Sequence, residues 1–211
     1  MLTITTFDRV PQAARGYVRD LRVRWACEEA GLDYRVETVP LDPRTPDHVA
    51  RQPFAQVPIL RDGGLVLFES GAIVLYLAGR SAALMPPGRG PEVTQWVIAA
   101  LNSVESWIFP WLIATRFHHD DTAAARAAPQ MNARLGQLQA VLAGRDWLLD
   151  EGFSAADLIM ADVLRIVNDM GALAEYPGLS GYVARATARP AFARAHAAQM
   201  AHFAARDEAP E

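Results

Sequence analysis

Two short segments carry residue types suited to binding a peptide, Gln56-Val57-Pro58 and Glu69-Ser70. A proline at the start of a strand removes one backbone donor from the sheet, so it requires a reason. A cis bond at Val57-Pro58 would turn the Val57 amide and carbonyl outward, where a peptide ligand pairs with them as an added strand. An ordinary trans proline at a strand edge is the more frequent arrangement for this dipeptide. The dipeptide alone leaves both arrangements open.

The second segment, Glu69-Ser70, lies where a helical pattern begins. Backbone amides at the start of a helix form a carboxylate site, and Glu69 beside them is placed to hold an ammonium group. Together the two residues match the carboxylate and the ammonium group of one amino-acid end. The alternative is a plain helix cap with an acidic residue that the helix dipole favours.

The elements that must position these residues follow from hydrophobic periodicity and turn signals. A proline-rich loop with one short helix near His48 precedes Gln56, and Asp62-Gly63-Gly64 suits a tight hairpin turn. The predicted elements are strands over 2–6 and 34–39 around a helix from about Gly16 to Gly31, strands over 57–60 and 65–68, and a helix over 70–84. The order is β-α-β-β-β-α.

The stretch 85–90 is rich in proline and glycine and is the predicted linker between two domains, 1–84 and 91–211. Helical patterns cover 92–109, 123–142, 154–170, 178–188 and 191–203. The clearest helix start is Phe153-Ser154-Ala155-Ala156-Asp157-Leu158, a capping box with a hydrophobic staple. The fold class predicted is an α/β domain followed by an all-α domain.

Composition excludes several classes of protein. The chain has 211 residues, a net charge of −4 and one cysteine, Cys27, which argues against a nucleic-acid role, an internal disulfide and a cysteine-rich metal site. We see no signal peptide and no apolar run of the ~20 residues that span a bilayer. We therefore expect a cytoplasmic protein without metal or membrane contact. The acidic tail over 206–211 is expected to be mobile.

The combination of these motifs resembles a known family. The order β-α-β-β-β-α, with Gln56-Val57-Pro58 before the third strand and Glu69-Ser70 before the last helix, looks like the thioredoxin-like domain of cytosolic-type glutathione S-transferases, here a bacterial member. The residues 23–34 resemble that family's first helix and second strand, and the capping box resembles the buried helix of its C-terminal domain.

The resemblance implies a ligand and its contacts. Val57 would pair with the cysteinyl backbone of glutathione, the co-substrate, through its amide and carbonyl, with Pro58 fixing the bend. Glu69 and Ser70 would hold the γ-glutamyl end, and Gln56 would lie close to it.

The group that ionises the thiol is the open question, since the thiolate is the nucleophile. The family uses a Tyr, Ser or Cys at the end of the first strand or the start of the first helix, but the first strand here ends in Phe7. By the resemblance, the family's serine or cysteine position falls near Tyr17, Val18 or Arg19, and of these Tyr17 and Arg19 have suitable side chains. Tyr17 would donate a hydrogen bond and Arg19 would stabilise the thiolate by charge, unless Tyr17 only packs and Arg19 only pairs with a surface acid.

Two further groups of residues are weaker candidates for a functional site. Trp107, Phe109, Trp111 and Phe117 are either core or the wall of an electrophile pocket, and the run His118-His119-Asp120-Asp121 is read as a solvated loop.

The predicted function is conjugation of glutathione to a small hydrophobic electrophile by a homodimer. The alternatives are a glutathione-dependent isomerase or lyase and a non-catalytic binding or regulatory module.

Overall fold

A computed structural model of the chain describes residues 1–207. The contacts divide the chain into two units, one formed by Met1–Leu84 together with the chain from Arg189 onward, the other by Met85–Ala188. The predicted tail lies outside the described residues except for Arg206 and Asp207, which end the last helix.

The first unit contains a four-stranded sheet in the order β2-β1-β3-β4. β1 pairs in parallel with β2 and antiparallel with β3, which pairs antiparallel with β4. Its elements up to residue 84 are β1 (Leu2–Phe7), α1 (Asp20–Ala30), β2 (Tyr34–Val39), α2 (Pro46–Arg51), β3 (Ile59–Asp62), β4 (Leu65–Phe68) and α3 (Ser70–Ala78). This order confirms the predicted thioredoxin-like domain, with the short helix at His48 as α2.

Two predicted helices of this unit are shorter than their patterns suggest. The first begins at Asp20 rather than near Gly16, because Gly16 has φ +79°, which no α-helix accommodates. The second ends at Ala78 rather than at residue 84, and turns follow from Gly79.

The second unit is helical, as predicted. Its elements are α4 (Gly90–Ala99), α5 (Ser106–Leu112), α6 (Asp121–Val141), α7 (Ala155–Asp169) and α8 (Pro177–Thr187). π-helical turns over Ala100–Glu105 and Ile113–His118 join α4 to α5 and extend α5, so helical structure runs from Gly90 to His118. The predicted helix over 92–109 is therefore longer than its pattern indicated.

This continuous helical segment can be compared with the requirements for a membrane span. By length and composition alone, the 29 residues Gly90–His118 would suffice to cross a bilayer, with a mean hydropathy of 1.4 in the most apolar window. A single such helix is weak evidence, because the core helix of a soluble protein passes the same test.

The most buried helix of the second unit is α7, which begins with the predicted capping box. The Asp157 carboxylate accepts hydrogen bonds from the Ser154 amide (3.0 Å), the Ser154 hydroxyl (3.0 Å), the Leu148 amide (2.8 Å) and the Tyr182 hydroxyl (2.9 Å). One buried carboxylate therefore joins the start of α7 to α8 and to the preceding loop.

The last helix, α9 (Pro190–Asp207), packs against α1 within the first unit, whereas the sequence assigned it to the second domain. Trp25 of α1 meets Phe192 edge to face with ring centroids 4.9 Å apart. Arg189 makes two hydrogen bonds to Glu29 (2.6 and 2.7 Å), and Arg194 makes one to Glu28 (2.7 Å). Partners so distant in the chain are invisible to a pattern read over short windows.

Candidate functional site

A small cavity in the first unit brings together six of the seven residues predicted for the site. Its lining comes from the start of α1, the loop before β3 and the start of α3. These residues are Arg19, Gln52, Gln56, Val57, Pro58, Glu69 and Ser70. The segments are up to about fifty residues apart in the chain, so their convergence is a property of the fold.

The loop before β3 is held by two buried side chains. The Val57–Pro58 peptide bond is cis. Gln52, only 2% exposed, accepts hydrogen bonds on its Oε1 from the amides of Phe54 (2.6 Å) and Gln56 (3.2 Å). The buried His48 donates from Nε2 to the Gln56 carbonyl (2.8 Å), because a carbonyl oxygen can only accept. Together these contacts fix the backbone that leads into Val57.

The start of α3 has an unusual backbone. Glu69 has φ +69° and ψ 117°, a conformation that favours glycine, and it is exposed. Among the described residues, the Glu69 side chain caps no amide of α3. Such strain is of the order of 1–3 kcal/mol and is concentrated at functional sites. The geometry turns the chain sharply between β4 and α3 and places Ser70 in the cavity wall.

A buried arginine lies beneath this serine. Arg22 of α1 is 3% exposed, and its Nη1 donates to the Ser70 hydroxyl oxygen at 3.2 Å. A guanidinium is charged at any pH that proteins tolerate. The start of α3 therefore combines backbone amides with a fixed positive charge, which is the chemistry that binds a carboxylate.

The two candidate activators of the thiol differ in position. Arg19, half-buried, is the residue immediately before α1 and lines the cavity. Tyr17 is also half-buried, and its amide donates to the Ala14 carbonyl (3.0 Å), but it is not among the lining residues of that cavity in the described chain. Phe7, at the end of β1, has the guanidinium carbon of Arg44 4.6 Å above its ring.

The residue after Arg19 is a buried carboxylate. Asp20 is fully buried and accepts a hydrogen bond from Arg24 Nε at 2.7 Å. Burial raises the pKa of Asp20, and the charge of Arg24 acts against that increase. Cys27, two turns further along α1, is fully buried, and burial raises the pKa of its thiol to about 12, so it stays protonated at neutral pH.

Sequence reasoning missed three residues that shape the cavity: Arg22, Gln52 and His48. Arg22 left a signal, because it is a charged residue between Leu21 and Val23 in a helix whose neighbouring positions are apolar. Gln52 and His48 left none, since their partners are backbone groups of a loop whose path a sequence pattern does not give.

The weaker clusters have local roles. Asp120 caps α6 by accepting the Ala123 amide (2.9 Å), and within residues 1–207 no group of three His, Cys, Asp or Glu side chains is arranged to hold a metal ion. Trp107, Phe109 and Phe117 are exposed apolar side chains rather than core.

Comparisons with known proteins identify the family. Residues 13–79 match the model of the glutathione S-transferase N-terminal domain, and residues 80–190 match that of the C-terminal domain. A glutathione transferase from Burkholderia graminis, solved with two glutathione molecules per subunit, superposes with a TM-score of 0.78 at 25% identity, covering 92% of this chain and 87% of that one.

Curated relatives match part of the chain. Glutathione S-transferase 4 of Zea mays is 51% identical over 98 residues, which are 44% of this chain and 43% of the relative. Human elongation factor 1-gamma is 31% identical over 126 residues, which are 57% of this chain and 28% of the relative. The chain thus spans less than half the length of these relatives. On the two domain matches and the site they contain, the chain belongs to the glutathione S-transferase family.

Proposed function

We propose that the protein is a glutathione transferase that conjugates glutathione to a small hydrophobic electrophile. The observation that carries this proposal is the single cavity that joins Arg19, Val57 and Ser70. The cavity combines a cation, a strand entry that offers backbone groups, and a helix start with a buried charge beneath it. Because a fold supports many functions, the argument depends on these residues and not on the family alone.

In this proposal each end of glutathione has its own contacts. The γ-glutamyl carboxylate is bound at Ser70, above the Arg22 guanidinium, and its ammonium group at Glu69. The backbone of the cysteinyl residue pairs with the amide and carbonyl of Val57, beside Gln56. Gln52 keeps the loop in place.

Arg19 is the better of the two candidates for stabilising the thiolate, because it lines the cavity. A fixed positive charge near the sulfur lowers the thiol pKa by favouring the anion. The thiol proton passes to water, and the sulfur then attacks the electrophilic carbon. A sulfur–carbon bond forms while the leaving group departs with its bonding electrons.

The test is a titration of the protein with glutathione across pH, following binding heat and thiolate ultraviolet absorbance. We expect binding with a thiol pKa below that of free glutathione. Arg19→Ala should lose the thiolate at neutral pH while binding persists, and Tyr17→Phe should keep both. Loss of the thiolate in Tyr17→Phe alone would assign the role to Tyr17. No binding by the unaltered protein would refute the proposal.

A second candidate function is a non-catalytic binding module. Phe7 favours it, since this residue has no donor at a position where the family places a hydroxyl or thiol group, and Arg44 covers its ring. The likeness to human elongation factor 1-gamma, whose name denotes no transferase, also supports it. Binding of glutathione with an unshifted thiol pKa would select this alternative.

We also propose that the protein is a homodimer. Phe54 is 67% exposed beside Phe68, with ring centroids 6.4 Å apart, and Leu65 and Val66 of the edge strand β4 are exposed as well. Apolar groups exposed together mark an interaction surface. Light scattering should give the mass of a dimer, and Phe54→Ser should shift it toward the monomer; a monomeric unaltered protein would contradict this.

A cytoplasmic and bacterial setting remains a proposal. The cytoplasmic setting is supported by the single, buried cysteine, which fits a reducing compartment.

A further inference from the structure

The last helix contacts the segment that carries the candidate activators. Gln199 of α9 is fully buried, and its Nε2 donates to the Val18 carbonyl (2.9 Å) and to Asp20 Oδ1 (2.6 Å). Its Oε1 is buried and has no hydrogen-bond partner among the described residues. The side chain therefore acts here through its two donor contacts.

The two partners of Gln199 are the chain neighbours of Arg19 on either side. One contact fixes the peptide plane that precedes Arg19, and the other fixes the side chain of the residue that follows it. Arg19 itself, with φ −67° and ψ −7°, makes no capping hydrogen bond for α1 with its side chain. The backbone from which the Arg19 side chain extends is thus held by a residue about 180 positions away.

Two histidines of α9 also lie close to the chain between β1 and α1. A His202 ring nitrogen contacts the Phe7 carbonyl at 3.0 Å. A Cβ added at Gly16 would lie 2.9 Å from His196 Nε2, so the segment passes close under α9. The charged groups that face Gln199 are Asp20 and, through it, Arg24. Gln199 contacts both neighbours of Arg19.

We propose that Gln199 is a positioning residue that fixes Arg19 at the glutathione thiol. This inference rests on the proposed function, because it assigns to Gln199 an effect that acts through Arg19. It implies that α9, although the last element of the chain, helps to set the reactivity of a thiol bound near the start of the chain.

The experiment compares Gln199→Leu with Arg194→Ala in the full chain. Gln199→Leu removes both donor contacts at nearly constant volume, and Gln199→Met replaces it if the leucine variant does not fold. Arg194→Ala is the control, because it removes an α9–α1 ion pair whose α1 partner, Glu28, lies near the end of α1 remote from Arg19. The readouts are glutathione affinity, the pKa of the bound thiol, and amide hydrogen exchange over residues 8–22.

We expect Gln199→Leu to lower the thiolate fraction of bound glutathione at neutral pH about tenfold, with affinity changed less than about twofold. Exchange over 8–22 should accelerate in this variant and not in Arg194→Ala. In an Arg19→Ala background, Gln199→Leu should have no further effect on the thiol.

Three results would overturn the inference: an unchanged thiol pKa in Gln199→Leu, an equal change in Arg194→Ala, or an effect that adds to that of Arg19→Ala. Failure of the proposed function is distinguishable from these. In that case the unaltered protein gives no shifted thiol, while the exchange data still report whether Gln199 holds the segment.

Discussion

Ser154, which caps α7, and Ser70, the first residue of α3, are used in opposite ways. At the start of α7, Ser154 and Asp157 bind each other, and Asp157 also binds Leu148 and Tyr182, so the polar groups are satisfied within the unit. At the start of α3, Glu69 is strained and exposed, and Ser70 is bound by a buried arginine. Side chains near the start of α7 bind its polar groups, whereas the start of α3 faces a cavity.

The difference shows how a helix start is used for stability or for binding. Closing the orphan amides with local side chains stabilises a helix by about 0.5–2 kcal/mol. Where these amides instead face a cavity without a local acceptor, the helix lacks that stabilisation, and the amides are available to bind an anion. A residue type at a helix start does not distinguish the two uses, but its partners do.

The largest effect on stability is expected from Asp157→Ala. It leaves several buried donors without an acceptor, at a cost of about 1–3 kcal/mol each before relaxation. We expect the free energy of unfolding, measured with urea, to fall by more than in any other variant proposed here. Asp121→Ala, at an exposed position in the first turn of α6, is the control and should change it little. An equal decrease in the free energy of unfolding in both variants would show that the Asp157 hydrogen bonds contribute no more to stability than an exposed aspartate does.

Arg22→Met should weaken glutathione binding at the start of α3. It removes the buried charge beneath Ser70 while keeping a long apolar side chain, so glutathione affinity should fall at least about tenfold and stability by about 1.5–3 kcal/mol. Calorimetry and urea unfolding measure both. Arg35→Met, which removes a part-buried contact to Thr3, is the control for loss of an arginine. Unchanged glutathione affinity in Arg22→Met would show that the charge of Arg22 does not contribute to carboxylate binding.

The two serines offer a matched pair. Ser154→Ala should cost about 1 kcal/mol of stability and leave glutathione affinity unchanged. Ser70→Ala should weaken glutathione binding about tenfold through loss of one hydrogen bond to a charged group, with a smaller loss of stability. If both variants lose stability equally and neither loses affinity, the contrast between the two starts is contradicted.

The backbone strain at Glu69 can be separated from its charge. Glu69→Ala and Glu69→Gly both remove the carboxylate, so both should weaken glutathione binding. Only glycine relieves the positive φ, so Glu69→Gly should be more stable than Glu69→Ala by about 1 kcal/mol. The melting temperatures of the two variants test this, and a glycine variant no more stable than alanine would show that the conformation carries little strain.

The smallest effect is expected at Cys27, away from both helix starts. Its pKa is raised from 9.0 to about 12, so the proton stabilises the fold at neutral pH and that contribution is lost as pH rises above 9 toward 12. Iodoacetamide should therefore label the native chain near pH 8 far more slowly than the chain in denaturant. Equal rates would mean that the thiol is accessible.

Part of the site was predictable because its signals are local. Gln56-Val57-Pro58 and Glu69-Ser70 combine a proline at a strand entry and a serine at a helix start with the two apolar runs and the tight turn that mark β3 and β4. The structure places all five residues in one cavity. The capping box at Ser154 and Asp157 was equally legible, since both members lie within one helical turn. Whether these residues bind glutathione stays a prediction.

Local patterns in the sequence predicted the order of strands and helices, the all-helical second half and the two segments of the candidate site, because hydrophobic period, turn residues and caps act over a few positions. The tertiary structure decided which groups surround those segments: Arg22 under Ser70, Arg19 in the cavity, and α9 packed on α1 with Gln199 beside Val18. Such contacts join residues about 50 to 180 positions apart, and their free energy arises only once the intervening chain has folded, which no local pattern encodes.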